Sequence, residues 1–516
     1  MNNSFMSKLS KVNERWVFYS LILISSLPIL LFQFYPSMDG AAHLYNSNII
    51  VKLLLDSDSI FHEFYEFNPQ IVPNWIGHFF LAFFNSFLPP YLAEKIVLLS
   101  YSIFLPVSFR YMIKQFNVNI SILSYLIFPF VFHFLFILGY YNFSFSFILF
   151  FFIMGLIHKY AEIKIRFRKS VLLLILFFLM SVAHIFGFVL LIVSISIYFF
   201  WKTIIHLINQ PEKNIFKLVY KYLRILLLSL PGIFIVLWHL FLHQSPESMK
   251  TTGSPENIWG YLMMIRPIIA YNFSRETGPA SLMFLVLFSF FIINIYIRIA
   301  ESRKNTNVKW YNVFELSDFW LLIAMAMILI VGIFPNHIGG AGNVLNRFGL
   351  VFFFSVISWI NLGKIPIWFY RTFIVIYIIA NTILIEYYVR VMKNLNTTAS
   401  EIYDAANHIE ENSTVFTYNA TEHWLMGHFS NYIAIEKSVF VNDNYEADMG
   451  YFPIVWKKNA KPKNQLNINT WEYFLMYGNN KNELPEDIHN ILKHNYKLIY
   501  ESTFIKLYKK ALNHSN

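Results

Sequence analysis

From residue 16 to residue 386 the chain is a succession of apolar runs separated by short polar stretches, at 16–35, 71–88, 91–112, 120–138, 140–158, 171–201, 225–242, 279–299, 318–334, 347–361 and 366–386. Most are close to the length that crosses about 30 Å of hydrocarbon as a helix. No soluble core could bury so many, and a chain of 516 residues that is 56% hydrophobic and only 14% charged has no other solvent to fold in than lipid. The pattern predicts a polytopic α-helical membrane protein of roughly 11–12 spans, short or re-entrant ones included.

The net charge of +10 sits in clusters between the runs rather than along a stripe with interleaved aromatics. It reads as the positive-inside bias of membrane proteins, and no nucleic-acid partner is expected. With no cysteine, disulfides, thiolate catalysis and thiolate zinc sites are excluded. Lys8, Lys11 and Arg15 precede the run Trp16–Tyr35, which no small-residue cleavage site follows, so it is expected to stay as an anchor with a cytoplasmic N-terminus. The strongest cytoplasmic marker is Lys159, Lys164, Arg166, Arg168 and Lys169. Five full crossings would put that cluster outside, so one segment between 71 and 158 should be re-entrant or half-length. The run with Pro129 and His133 is the candidate. Residues 171–201 predict two short helices meeting near His184.

From about residue 396 the composition becomes that of a soluble domain. The expected division is a transmembrane domain, 1–395, with a first outer loop at 36–70, and a small α/β domain, 396–516, on the outer face. Within the latter, helices are expected near 400–410, 424–432 and 485–494, and strands at 415–418, 438–441, 497–500 and 504–508.

Function should reside in the polar residues near the outer boundary, because ionisable groups in or beside spans are costly and usually face a functional cavity. These are Asp39, His43, Tyr140, Tyr141, Asn142, His184, His337 and Arg347. In Phe34-Tyr35-Pro36-Ser37-Met38-Asp39-Gly40-Ala41-Ala42-His43-Leu44-Tyr45-Asn46, a helix starting near Ser37 puts Asp39, His43 and Asn46 on one face. Asp39 suits a general base and equally suits an N-cap. Arg347, with His184 as helper, suits a leaving phosphate, and equally suits an interfacial anchor. His78, His133 and His239 read as packing residues. His43, His184 and His337 show no metal-site spacing, and neither a metal nor a cofactor is expected. The segments Trp424–Tyr432 and Asp443–Ala447 suit saccharide contact or ordinary packing.

Met38-Asp39-Gly40-Ala41-Ala42-His43-Leu44, Gly139-Tyr140-Tyr141-Asn142-Phe143, Ala183-His184 and Asn346-Arg347-Phe348, with an α/β region after the last span, resemble the GT-C superfamily of integral membrane glycosyltransferases. The resemblance implies transfer of a sugar from a polyprenyl-phosphate carrier to a hydroxyl of a glycan, lipid or protein acceptor, with inversion, on the periplasmic side of a bacterial inner membrane. It implies Asp39 as catalytic base, and places Arg347 and His184 near the carrier phosphate, with His43, Tyr140, Asn142 and His337 as further substrate contacts. Many members carry a pair of acidic residues in the first loop. Here Gly40 follows Asp39, leaving Glu63 or Glu66 as candidates for the second. A transporter or flippase of lipid-linked glycans, and a non-catalytic scaffold of the same fold, are the alternatives.

Overall fold

The computed structural model describes residues 14–116, 121–163, 165–209, 215–242, 257–304, 314–334, 336, 342–458, 460, 468–478 and 484–511. His337 lies outside the described residues. In lipid no water is at hand for the backbone, so each apolar run closes its N–H and C=O groups within itself. The result is α1 (Glu14–Leu30), α2 (Gly40–Leu55), α3 (Trp75–Asn85), α4 (Pro90–Phe116), α5 (Tyr141–Glu162), α6 (Phe167–Ala183), α7 (Ile185–Asn209), α8 (Phe216–Leu242), α9 (Phe273–Lys304), α10 (Phe319–Ile333), α11 (Val344–Trp359) and α12 (Ile367–Ala405). Among the described residues, α4, α5 and α7 to α12 are the eight helices long and apolar enough to cross a bilayer. The protein is a multi-pass membrane protein. On α8, Leu223, Leu227, Leu230, Phe234, Leu237 and Phe241 are exposed at alternating spacings of four and three, a stripe that water would penalise and lipid accepts.

Two segments between 71 and 158 depart from spanning helices. Helix α3 has 11 residues, about 16 Å of rise, which is too short to cross. Residues 121–137 are a 3-10 stretch, Ser121–Phe130, followed by a short helix, Phe134–Ile137. The Tyr125 hydroxyl donates to the Glu14 carbonyl at the start of α1 (2.8 Å). The Ile137 and Leu138 carbonyls accept from the Met38 and Asp39 N–H groups, past the other end of α1 (3.3 and 3.1 Å). Among the described residues, neither this irregular run, which carries Pro129 and His133, nor α3 is a helix long and apolar enough to cross.

The chain forms two compact units: a helical unit of 1–27, 101–136 and 143–387, and a second unit of 28–100, 137–142 and 388–516. In the helical unit, α6 and α7 part at His184, whose backbone is extended (φ −164°, ψ 123°). Arg298 is paired with Asp318 and with Glu315 (3.0 Å), while Lys364 bridges Glu301 and Glu315 (2.8 and 3.0 Å). The Trp359 indole N–H also donates to Asp318 (2.8 Å). These pairs tie the polar ends of α9, α10 and α11.

In the second unit, β1 (Tyr65–Phe67) comes from the first loop; β2 (Ser413–Asn419), β3 (Val439–Val441), β4 (Ile454–Trp456), β5 (Tyr473–Tyr477), β6 (Tyr496–Glu501) and β7 (Ile505–Lys510) come from the C-terminal segment. A five-stranded sheet has the order β3-β2-β5-β7-β6. Here β2 is parallel to β3 and β5, and β7 is antiparallel to β5 and β6. Four of these strands sit where the sequence predicts them. The central β5 does not figure in that prediction; four of its five residues are buried, so it shows no alternation. The expected helix at 424–432 is two 3-10 stretches, Trp424–Met426 and Phe429–Ala434. The composition change near 396 is no break in the backbone, because α12 runs through it for 39 residues.

The first loop and the C-terminal segment share this unit. Strands β1 and β4 pair antiparallel. The Asn46 and Asn444 amides exchange hydrogen bonds (3.1 Å each way). The Asn48 amide donates to the Ala434 and Lys437 carbonyls (2.9 and 2.8 Å). Removing this donor takes a partner from the buried Ala434 carbonyl, while the Lys437 carbonyl keeps the Val439 N–H (2.9 Å), so Asn48→Ala is expected to cost about 1–3 kcal/mol. Thermal unfolding of the detergent-purified protein checks this, and an unchanged midpoint would show that the amide does not hold the loop.

Candidate functional site

Asp39 occupies the N-cap position of α2, yet its side chain makes no capping hydrogen bond and its backbone is helical (φ −96°, ψ −5°). The carboxylate is buried, at 5% exposure, and is not spent on the helix end. Burial raises its pKa to about 6, against the opposing pull of His43, His428 and the Tyr445 hydroxyl. Two glycines shape its surroundings. Gly139 has φ +96°, and a Cβ there would lie 2.7 Å from the Asp39 Cβ. A Cβ on Gly40 would lie 2.5 Å from Ser37 Oγ and 2.8 Å from the Tyr141 hydroxyl, which bond each other at 2.7 Å. A second acidic side chain directly after Asp39 has no room here.

Another buried carboxylate comes from the short helix Tyr445–Met449 of the C-terminal segment. Glu446, with no exposed surface, lies between two imidazoles: His43 Nδ1 is 2.6 Å from Oε1, and His78 Nε2 is 2.7 Å from Oε2. The rings stand edge to face, 4.9 Å apart. Burial alone would raise the Glu446 pKa, but His78 and His43 outweigh it and bring it down to about 2. Conversely, burial would lower His43, and Glu446 outweighs that and holds it above its ordinary value.

Each imidazole is oriented from behind by a backbone carbonyl. His43 Nε2 donates to Gly139 O (2.8 Å) and His78 Nδ1 to Asn74 O (3.1 Å). Asn142, placed by the start of α5, holds the first turn of α3 with both ends of its amide: Oδ1 accepts from Gly77 N–H (2.7 Å) and Nδ2 donates to Asn74 O (3.0 Å). Asn74 itself is left-handed (φ 68°), a conformation asparagine tolerates. The stretch Gly139–Asn142 thus fixes both imidazoles. Tyr140, within it, is half-buried.

Of the residues expected to form the site, Asp39, His43, Tyr140 and Asn142 lie together in the second unit. Both Asn142 amide atoms are engaged by α3 rather than turned toward a substrate. His184 and Arg347 lie in the helical unit and meet there: Arg347 Nη1 is 3.1 Å from His184 Nε2. The guanidinium stacks over Phe143 and Phe186 (5.0 and 5.4 Å), and its Nε donates to Gly342 O (3.3 Å). Glu63 and Glu66 are exposed and stand apart from this cluster. His78 and Glu446 carried no distinguishing signal in the sequence, since their neighbours are brought together by folding over hundreds of residues. Glu94 is a third buried carboxylate, accepting from Tyr35 N–H (3.0 Å).

Next to the triad, Asp443 accepts from His428 Nδ1 (3.0 Å), Ser430 Oγ (2.6 Å) and Asn431 Nδ2 (3.2 Å), and His428 stacks on Tyr445 (4.5 Å). Set against protein-family models and curated proteins, the chain matches none.

Gly139→Ala should destabilise the protein by about 1–3 kcal/mol through its left-handed backbone and the encroachment on Asp39, whereas Gly278→Ala, with nothing within 4 Å of the added carbon, should not; equal melting points would overturn the account. A second expectation concerns pH. Burial would lower the His428 pKa, but Asp443, Asp39 and Glu446 outweigh it and raise the folded value. Its stabilisation is complete below the unfolded value of about 6.5 and fades as pH rises through the folded one. The melting-point gap between wild type and His428→Asn should therefore be widest near pH 6 and narrow toward pH 9, and a gap that widens with pH would refute the pairing.

Proposed function

We propose that the protein is a membrane glycosyltransferase that moves a sugar from a polyprenyl-phosphate carrier to an acceptor hydroxyl, on the side of the membrane opposite its N-terminus, in the assembly of envelope glycan or lipid. The observation that carries this reading is Asp39: a buried carboxylate at a helix start that leaves the helix end uncapped. A carboxylate kept out of water and not spent on the helix cap is what a general base requires. The resemblance of the first-loop, Gly139–Phe143, His184 and Arg347 motifs to GT-C enzymes supports the same class.

In the proposed step the acceptor oxygen attacks the anomeric carbon from the face opposite the carrier. The new C–O bond forms as the bond to the carrier phosphate breaks, and the electron pair leaves on the phosphate oxygen. The acceptor proton passes to the Asp39 carboxylate. Within the helical unit, Arg347, paired with His184, is by the same resemblance a candidate phosphate contact, since a guanidinium offers two parallel donors to an oxyanion. With the N-terminus cytoplasmic, the reaction would take place on the periplasmic face of an inner membrane.

Asp39→Asn should lower sugar transfer from polyprenyl-phosphate donors into membrane acceptors about 10²–10⁴-fold, with the melting point close to wild type because no cap is lost. A variant with normal transfer and a lowered melting point would show that Asp39 is structural and would sink the proposal.

A further inference from the structure

We propose that His43, His78 and Glu446 form a binding site for one divalent transition-metal cation of the zinc type. The site stands independently of the glycosyltransferase reading. Its basis is the hydrogen atoms. Gly139 O and Asn74 O are acceptors, so His43 Nε2 and His78 Nδ1 must carry the hydrogens that reach them (2.8 and 3.1 Å). In a neutral imidazole the remaining nitrogen is then a lone pair, and in both rings it faces the Glu446 carboxylate. Either a proton or a metal cation can then join each of these nitrogens to the carboxylate, and the three residues converge on one point from three segments of the chain.

His78 Nε2 is hydrogen-bonded to Glu446 Oε2 (2.7 Å), whereas His43 Nδ1 and Glu446 Oε1, 2.6 Å apart, lack the alignment of a hydrogen bond and are both buried. One donor atom from each of the three residues falls within 4.8 Å of the others. Two imidazole nitrogens and one carboxylate are a donor set of catalytic zinc sites, which keep a further position for a water or substrate oxygen. Imidazoles that bind metal through one nitrogen almost always donate the other N–H to a carbonyl, carboxylate or water; both rings already do so. The rival account puts protons rather than a metal between the rings and Glu446, in a site whose side chains are no more than 6% exposed and which Phe452 adjoins (6.4 and 5.6 Å).

By this inference Gly139 and Asn142 are positioning residues, Gly139 through its carbonyl on His43 and Asn142 through the Asn74 carbonyl on His78.

The test uses the full chain, purified in detergent with a histidine-free tag, stripped with a chelator, loaded with zinc chloride and desalted. With no cysteine in the chain, thiolates cannot trap the ion. About one zinc per chain is expected by elemental analysis, with zinc-edge X-ray absorption showing two imidazoles and no sulfur. Glu446→Gln and His78→Gln should each lower zinc affinity at least tenfold at an unchanged gel-filtration volume, while Glu63→Gln should not. Wild type that retains no zinc, or zinc with fewer than two imidazoles, overturns the proposal, as do folded variants that bind as wild type. Stoichiometry and ligand type are both measured on wild type, so they decide the matter even where a variant misfolds.

Discussion

The second unit is organised around one buried carboxylate. Glu446 sits where water does not reach, and an ion in such a place persists only if its neighbours compensate it. Its compensation is two imidazoles from two different helices, His43 set in place by the Gly139 carbonyl from a third segment and His78 by the Asn74 carbonyl at the head of its own helix. The first loop, the α3 turn, the Gly139–Asn142 stretch and the C-terminal segment must all arrive before the charge is satisfied. A site that needs so many parts is specific in register: displacing any one leaves an uncompensated buried ion, which costs far more than a lost surface contact.

Local signals in the sequence carried what is local. Eight long apolar helices, the break at His184, four strands of the C-terminal sheet and the helical face of Asp39, His43 and Asn46 all rest on periodicity or a single residue's chemistry, and each is where the pattern puts it. What that face packs against was not legible, because Asn444 and Glu446 lie about 400 residues away and nothing in their composition points back to residue 43. The same limit hid β5, a run buried on both faces, and the central role of His78, which an aromatic neighbourhood made to look like packing.

Gly40 bears on the resemblance to GT-C enzymes. Where many of them carry a second acidic residue, this chain has a glycine whose Cβ position is already taken by Ser37 and Tyr141. Another buried carboxylate, Glu446, comes from the opposite end of the chain and lies close enough to bear on the Asp39 charge.

The same long-range construction sets an order of folding. Residues 40–50 of α2 are all buried, yet what buries much of that surface lies beyond residue 430, in the Phe429–Ala434 turn, β3 and the Tyr445–Met449 helix. Before those residues exist, α2 has an apolar face with nothing to cover it and three polar side chains, His43, Asn46 and Asn48, without the partners that later hold them. Closing so long a loop adds only modest entropy, since the penalty grows as the logarithm of length. The real constraint is sequence: the loop can acquire its fixed form only after α12 has carried the chain to the C-terminal segment. The spans, which satisfy their own backbones, need not wait. Helical insertion therefore precedes assembly of the second unit, and the buried Glu446 pairing is among the last contacts to form.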